Sequence, residues 1–273
     1  MWQETKDKTN PVITAKQHIA SLHNDTPPLC LPETAVVFFM RGGEEYLNEH
    51  CNTRLLSDKF PRFLKPCPIY LVEDEPSFCF LNGGARAPQA ADTLETLAAL
   101  GVKRVLSVGM FGTFSNWVSC GDIVIPVGAI SEEGTSQHYK RNATVSFPSV
   151  PLYDFVRHMP DHPVLNFKHD YIVSRDAIYR QTFFKEEKWR QRMAVGVDME
   201  TSALFTVGSC IKVDVVSILI ASDRHPMKEE ELQWEWTMTQ ETHNQFFEQS
   251  LQLAKRIAAA KFVQKSPRRC FYV

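Results

Sequence analysis

Three β-rich, mainly apolar runs constrain this chain more than any other feature: Ala35-Val-Val-Phe-Phe-Met40, Val102-Lys-Arg-Val-Leu-Ser-Val108 and Val213 to Ala221. Strands of this kind are covered on both faces, as in parallel sheets held between layers of helices. Gly121-Asp-Ile-Val-Ile-Pro-Val127 is a fourth, and shorter strands are predicted near 68–73 and 77–82. Helical stretches lie between them. Pro88 opens one that runs to about Leu100, with Ala90, Ala91, Leu94, Leu97 and Ala98 on its apolar side and Gly101 as its stop. Glu200 to Cys210 reads as another, and about 231–263 as a third that carries Phe246, Phe247, Leu251 and Ile257. Residues 163–174 alternate in strand fashion. Helices and buried strands in turn predict an α/β fold of three layers. No repeat or linker divides the chain, so a single domain is expected over 1–273, with a polar, proline-bearing arm at 1–32 and a tail at 264–273.

Composition narrows the function classes. Hydrophobic residues make up 44% and charged residues 23%, which is globular rather than disordered. A net charge of −2 gives no global attraction to nucleic acid or anionic membranes. No apolar stretch approaches the length of a membrane span, and the polar start MWQETKDKTN lacks a signal-peptide core. The seven cysteines are odd in number and scattered, without metal-ligand spacing, so neither a disulfide framework nor a metal site is expected. A reduced, cytoplasmic setting is the simplest expectation.

Open α/β sheets place ligands beyond the carboxyl ends of their strands. Four such ends carry glycine or charge: Gly42-Gly43, Gly83-Gly84, the Val108-Gly-Met-Phe-Gly112 turn, and Ala221-Ser-Asp-Arg-His225.

Their order resembles a known pattern. Leu100 to Gly112 followed by Gly121 to Ala129 is similar to the glycine-rich signature of the nucleoside phosphorylase / uridine phosphorylase superfamily. Glu133-Gly-Thr-Ser-Gln-His-Tyr139 looks like a segment that often follows it, and Val197-Asp-Met-Glu-Thr-Ser-Ala-Leu-Phe205 resembles the family's ribose-binding helix. Ile218-Leu-Ile-Ala-Ser-Asp223 is similar to the strand ending in Ser-Asp of the purine-acting branch. The resemblance spans about 34–260 and implies a three-layer α/β/α sandwich with a mixed central sheet. It also implies at least a homodimer, often a trimer of dimers, because each site borrows residues from its neighbour.

The implied reaction is reversible phosphorolysis of a nucleoside, a purine favoured with uridine as the alternative base, to free base and ribose 1-phosphate, a glycosyltransferase (pentosyltransferase) activity. Phosphate is the co-substrate, and no metal or organic cofactor is expected. Breaking an N-glycosidic bond builds positive charge on the ribose and negative charge on the base. A carboxylate on the 2′ and 3′ hydroxyls therefore both orients the sugar and suits its charge. Glu200 is the candidate, with Met199 on the apolar sugar face and His138 beside them. Asp223 is the catalytic candidate, donating a proton toward purine N7 if burial raises its pKa. Arg224 and His225 are further candidates for holding or protonating the base. Gly42, Arg62, Arg86, Gly109 and Met110 are assigned to phosphate. Arg62 is expected to reach it from the adjacent subunit. Phe111, Gly112, Ile178, Arg180 and Gln181 are assigned to the base.

The chain departs from the family pattern at phosphate. Tyr46 and Ser107 stand where arginines are usual, and Met110 stands where a hydroxyl is usual. Charge-assisted contacts of that kind contribute about 1.5–3 kcal/mol each. Arg86 is the candidate replacement. Ile178 takes the place of an aromatic, so Phe111, Phe183 or Phe184 is expected to supply the stacking surface. Hydrolysis of the same bond, with Glu44 and Glu45 near the first glycine turn, and non-catalytic nucleoside binding are the alternatives.

Overall fold

The structure is a computed structural model describing residues 9–22, 29–74, 77–158, 167–231, 234–236 and 238–262. The expected tail and parts of the expected arm lie outside the described residues. In chain order the elements are α1 (Ala15–Leu22), β1 (Thr34–Phe38), α2 (Gly43–His50), β2 (Thr53–Ser57), β3 (Ile69–Val72), β4 (Phe78–Asn82), α3 (Arg86–Ala99) and β5 (Arg104–Thr113). There follow β6 (Ile123–Val124), β7 (Gly128–Glu132), α4 (Thr135–Tyr139), β8 (Val145–Ser146), α5 (Val150–Arg157), β9 (Phe167–Lys168), β10 (Tyr171–Arg175) and a 3-10 turn at Ile178–Arg180. The chain continues with α6 (Phe183–Arg190), β11 (Ala194–Asp198), α7 (Thr201–Ile211), β12 (Asp214–Arg224), β13 (Glu235–Trp236) and α8 (Gln240–Ala259).

The strands form one mixed sheet in the order β2-β3-β4-β1-β5-β11-β10-β7-β8, with β12 on β5 and carrying β6 and β13. Alternation along each central strand divides the core into two layers. Ala35 and Val37 of β1 face Ala90, Leu94 and Leu97 of α3 and Leu204 and Val207 of α7. Val36 and Phe38 face Leu47 of α2, Leu152 of α5 and Phe246, Phe247, Leu253 and Ile257 of α8. This is the expected three-layer α/β/α arrangement. A smaller apolar group, Phe114, Ile130, Val173, Trp189 and Ala194, seats α6 against β7, β10 and β11.

Two expectations are corrected. The stretch from Val108 to Gly112 is not a turn. It continues β5, because β12 pairs with it in parallel as far as Thr113 and β11 pairs antiparallel at Gly112 and Thr113. The last helix begins at Gln240 rather than near 231. Thr239 caps it by accepting the Thr242 N–H, and Glu235–Trp236 instead pair as a short strand with Asp223–Arg224.

Candidate active site

A gap in the pairing of β5 marks the candidate site. On one edge β12 accompanies β5 from Arg104 to Thr113. On the other edge β1 ends opposite Val108 and β11 begins opposite Gly112. Gly109, Met110 and Phe111 therefore have no strand in register on that edge. The amide of Phe39 donates to Val108 O at 2.8 Å, closing the lower end of the gap. Strand alternation turns the peptide groups of Met110 to the same edge, so the gap presents backbone polar groups between two strand ends. Gly109 lacks a Cβ that would sit 3.1 Å from Leu219.

Because β11 runs antiparallel to β5, the residues after Val197 return alongside the gap. Asp198 is buried and holds this corner, accepting from Ser174 Oγ at 2.5 Å, Thr201 N at 3.0 Å and Thr201 Oγ1 at 2.6 Å. Glu200 is the N-cap of α7. Its Oε1 accepts the backbone N–H of Arg86 at 2.7 Å, which brings it to the first residue of α3. Burial, then the charge of Asp198, push the Glu200 carboxyl above the usual carboxylate range. The N–H groups of Arg86 and Met199 pull the other way. Arg86 itself is exposed, with a left-handed φ of 69° that a non-glycine residue rarely adopts.

Asp223 lies on the opposite side of β5, in register with Gly112. Its Oδ1 accepts from Ser222 Oγ at 2.5 Å, and its Oδ2 from the Trp234 indole at 2.5 Å. His225 Nε2 is 3.2 Å from Oδ2, and His225 Nδ1 is 2.8 Å from Glu186 Oε1 on α6. Gln181 Nε2 donates to the same Glu186 oxygen at 2.7 Å. Gly112 makes this possible: a Cβ there would lie 2.4 Å from His225 Nε2 and 3.0 Å from Asp223 Oδ2.

The protonation states differ from the sequence expectation. Burial does act to raise the Asp223 carboxyl. Hydrogen bonds from His225, Ser222 and Trp234 overcome it and leave the group below its usual range. Burial likewise acts to lower His225, but its bonds to Asp223 and Glu186 and their charges raise it to about 9. Asp223 is thus a carboxylate and His225 an imidazolium at neutral pH.

Gly42 adopts φ 91° at the N-cap of α2, against Phe247. Met110 packs partly buried on the α8 layer. Met199 is half-buried between Asp198 and Glu200. Phe111 is not a stacking surface, because its ring is buried in the α3/α7 layer over Gly196. Ile178 and Tyr179 are 52% and 96% exposed, on the 3-10 turn with exposed Arg180. Phe184 is exposed and Phe183 half-buried. Arg224 is exposed and donates to Asn116 Oδ1 at 3.2 Å.

Arg62 is placed differently from its expected role across a subunit boundary. It is 3% exposed and donates within its own chain to Lys65 O, Asn82 O and Thr93 Oγ1 at 2.8, 2.8 and 2.9 Å. These bonds tie its loop to the end of β4 and to α3. Glu44 lies in the first turn of α2 beside Asn82. Burial raises its carboxyl, against hydrogen bonds from Asn82.

His138 lines a hollow of about 770 Å³ between α1, α3 and α4, with Pro88, Asp92 and Glu95. A second hollow of about 430 Å³ lies at the other end of the sheet, beside Asp214 at the start of β12. Neither hollow contains Glu200, Asp223 or the β5 gap. Converging polar groups, rather than open volume, identify the site, since Trp234 covers Asp223 in this structure. Among the described residues no His, Cys, Asp and Glu group is arranged to hold a metal, and no helix is long and apolar enough to cross a membrane.

Sequence reasoning missed Glu186, Trp234, Ser222 and the Asp198 network. Glu186 sits in Lys185-Glu-Glu-Lys188, which has the look of a solvated helix face, and carried no signal.

Comparison with known proteins bears on the family and the fold. The chain is 31% identical over 127 residues to a guanosine phosphorylase of Halorubrum lacusprofundi, covering 45% of this chain and 52% of that protein. It is 29% identical over 154 residues to a uridine phosphorylase of Treponema pallidum, covering 51% of this chain and 58% of that protein. The chain thus spans about half the length of the curated relatives it matches. In three dimensions it is similar to the crystal structure of purine nucleoside phosphorylase from Toxoplasma gondii in complex with immucillin-H. That likeness has a TM-score of 0.70 at 16% identity over 84% of this chain and 92% of the other. The model of the phosphorylase superfamily matches residues 64–263, taking in β5, Glu200 and Asp223, and the chain belongs to that superfamily.

Proposed function

We propose that this protein cleaves the N-glycosidic bond of a purine nucleoside, with phosphate as the nucleophile. One observation carries the reading: Glu200 and Asp223 approach the same end of β5 from its two edges, Glu200 after β11 on the edge left unpaired at Gly109–Phe111 and Asp223 from β12 on the other. Glu200 takes the ribose hydroxyls, with Met199 against the sugar. Phosphate sits at the gap near Gly42, where the exposed guanidinium of Arg86 supplies positive charge. The base lies toward Asp223, Gly112 and Gln181. In this reading the protein works as a homodimer or a larger homo-oligomer, and needs no metal or organic cofactor. The named activities of the relatives support the reaction class, and the aspartate supports a purine.

A second reading is hydrolysis, favoured by Glu44. A half-buried carboxylate with a raised pKa, in the first turn of α2, disfavours a phosphate nearby and is suited to take a proton from water. Product analysis separates the two. Inosine, guanosine, adenosine and uridine are incubated with and without phosphate, and the sugar product is identified. Ribose 1-phosphate formed only with phosphate supports the first reading, and free ribose without phosphate supports the second. Binding without any base release removes both.

A further inference from the structure

Asp223 is contacted by three donors: a serine hydroxyl, an indole N–H and an imidazole N–H. Of the three, only the charged imidazole is acidic enough to hand on a proton. A purine N7 carries a lone pair, so an ionised carboxylate facing it is repulsive until a proton lies between them. The question is where that proton is kept before the bond breaks.

We propose that His225, clamped between Asp223 and Glu186, is the proton reservoir for the departing purine, and that Asp223 is the relay through which the proton reaches N7. The inference rests on the purine-cleavage reading above. The clamp is built from three elements. From β12 comes Asp223, 3.2 Å from Nε2, and from α6 comes Glu186, 2.8 Å from Nδ1. From β5 comes Gly112, whose missing side chain leaves room for the ring, with Phe114 beside it. The other groups facing this cluster are the Gln181 amide and Arg190, whose Nη1 is 3.8 Å from Glu186 Oε2. Arg224, next in the chain, turns instead to Asn116. Two carboxylates therefore face the imidazole directly, and one guanidinium stands behind the second of them. Glu186 is buried and its Oε2 has no hydrogen-bond donor, a costly arrangement for a surface helix glutamate to adopt. Holding the imidazole charged next to Asp223 accounts for it.

The C1′–N9 bond breaks and its electron pair passes into the purine ring. Asp223 Oδ2 gives a proton to N7 and takes one from His225 Nε2, while an oxygen of phosphate or water bonds to C1′. The proton carried by that nucleophile leaves to solvent, and neutral His225 recovers one from solvent. His225 acts through Asp223, and Glu186 is a positioning residue that keeps it charged.

The test compares nucleosides that need N7 protonation with those that do not. A 7-methylpurine already carries positive charge on its imidazole ring and departs without a proton. Base release is measured for the full chain with inosine, guanosine and adenosine, and with 7-methylinosine and 7-methylguanosine. His225→Asn is expected to lose about 10²-fold or more in kcat/KM on the unmethylated substrates and only a few-fold on the methylated ones. Glu186→Gln is expected to move the alkaline limb of the pH profile to lower pH by about one unit, for unmethylated substrates only. Equal losses on both substrate sets in His225→Asn overturn the proposal, as does an unmoved alkaline limb in Glu186→Gln. Should His225→Asn fail to fold, the Glu186→Gln profile decides alone. If the unaltered protein cleaves none of these purine nucleosides, the purine reading itself has failed and takes the proposal with it.

Discussion

The backbone N–H of Arg86 donates to Glu200 Oε1 at 2.7 Å, so the carboxylate at the N-cap of α7 is tied to the first residue of α3. The bond uses the main chain of Arg86, which leaves its guanidinium uncommitted to Glu200. It also requires the left-handed φ of 69°, a conformation that costs a non-glycine residue about 1–2 kcal/mol. Backbone and side chain can therefore be separated. Arg86→Gly keeps the N–H and relieves the strain, and is expected to be more stable than Arg86→Ala by about 1 kcal/mol in thermal unfolding. Both variants are expected to raise KM for phosphate and leave nucleoside affinity within a few-fold. Nucleoside affinity lost alongside phosphate affinity would show that the side chain acts through Glu200 instead.

Glu200→Gln keeps an oxygen for the Arg86 N–H and removes the negative charge that the carboxyl, raised to about 8 by burial and by Asp198, offers the sugar once it ionises. One charge-assisted hydrogen bond contributes about 1.5–3 kcal/mol, or about 10- to 150-fold in rate. The expected loss falls on kcat/KM for ribonucleosides and is several-fold smaller for 2′-deoxynucleosides, which already lack one hydroxyl. The ratio of the two substrate classes, measured in the original and the variant, checks the assignment. An unchanged ratio places Glu200 away from the 2′ position.

Gly112→Ala tests the packing that brings Asp223 and His225 together. The added methyl would lie 2.4 Å from His225 Nε2, closer than real contacts permit, and the ring is held by Glu186 behind it. Overpacking of this kind costs typically about 1–3 kcal/mol. A lower Tm and a drop in kcat on unmethylated purine nucleosides are expected together. Full activity in Gly112→Ala would mean that the His225–Asp223 contact is dispensable.

The strand ends were legible from sequence, and the partners across the site were not. Glu200 and Asp223 could be singled out because each follows an apolar run within a recognisable motif. The Gly109 to Gly112 stretch was misread because a glycine pair after an apolar run has the local character of a turn. Only pairing with β12 and β11 makes it strand. The charge on Asp223 was also misjudged, since burial alone argues for a raised pKa. The donors that reverse it come from positions 222, 225 and 234, and the second carboxylate that holds His225 charged comes from position 186. Glu186 and Trp234 are brought in by tertiary folding from segments with no pattern of their own.

That pair of opposite shifts sets a pH window for stability. His225 is raised from 6.5 to about 9, so its contribution is complete below 6.5 and is lost as pH rises through about 9. Asp223 is lowered from 3.8, so its contribution is present above 3.8 and is lost as pH falls through its depressed value. At about 1.4 kcal/mol per pH unit, the histidine's share is on the order of 3 kcal/mol. Thermal unfolding from pH 6 to 10 is expected to show Tm falling in this window for the unaltered protein, with a flatter curve for His225→Asn. Parallel curves would mean that the imidazole gains no proton on folding.

In the proposed reading the choice of nucleophile turns on Glu44. Its carboxylate stands at the N-terminus of α2, where backbone N–H groups and the helix dipole would otherwise attract an anion. Two unit charges 4 Å apart repel by about 1 kcal/mol even in bulk water, or about fivefold in affinity. In Glu44→Gln the amide retains a hydrogen bond to Asn82 while the charge is gone. The expected result is a severalfold lower KM for phosphate and a loss of any base release seen without phosphate. Both effects follow from one change, since the carboxylate that repels the anion is the group suited to activate water. A variant that tightens phosphate but keeps its phosphate-free rate would leave Glu44 as an electrostatic brake only. One that loses the phosphate-free rate without tightening phosphate would place the anion further along the β5 gap, toward Arg86.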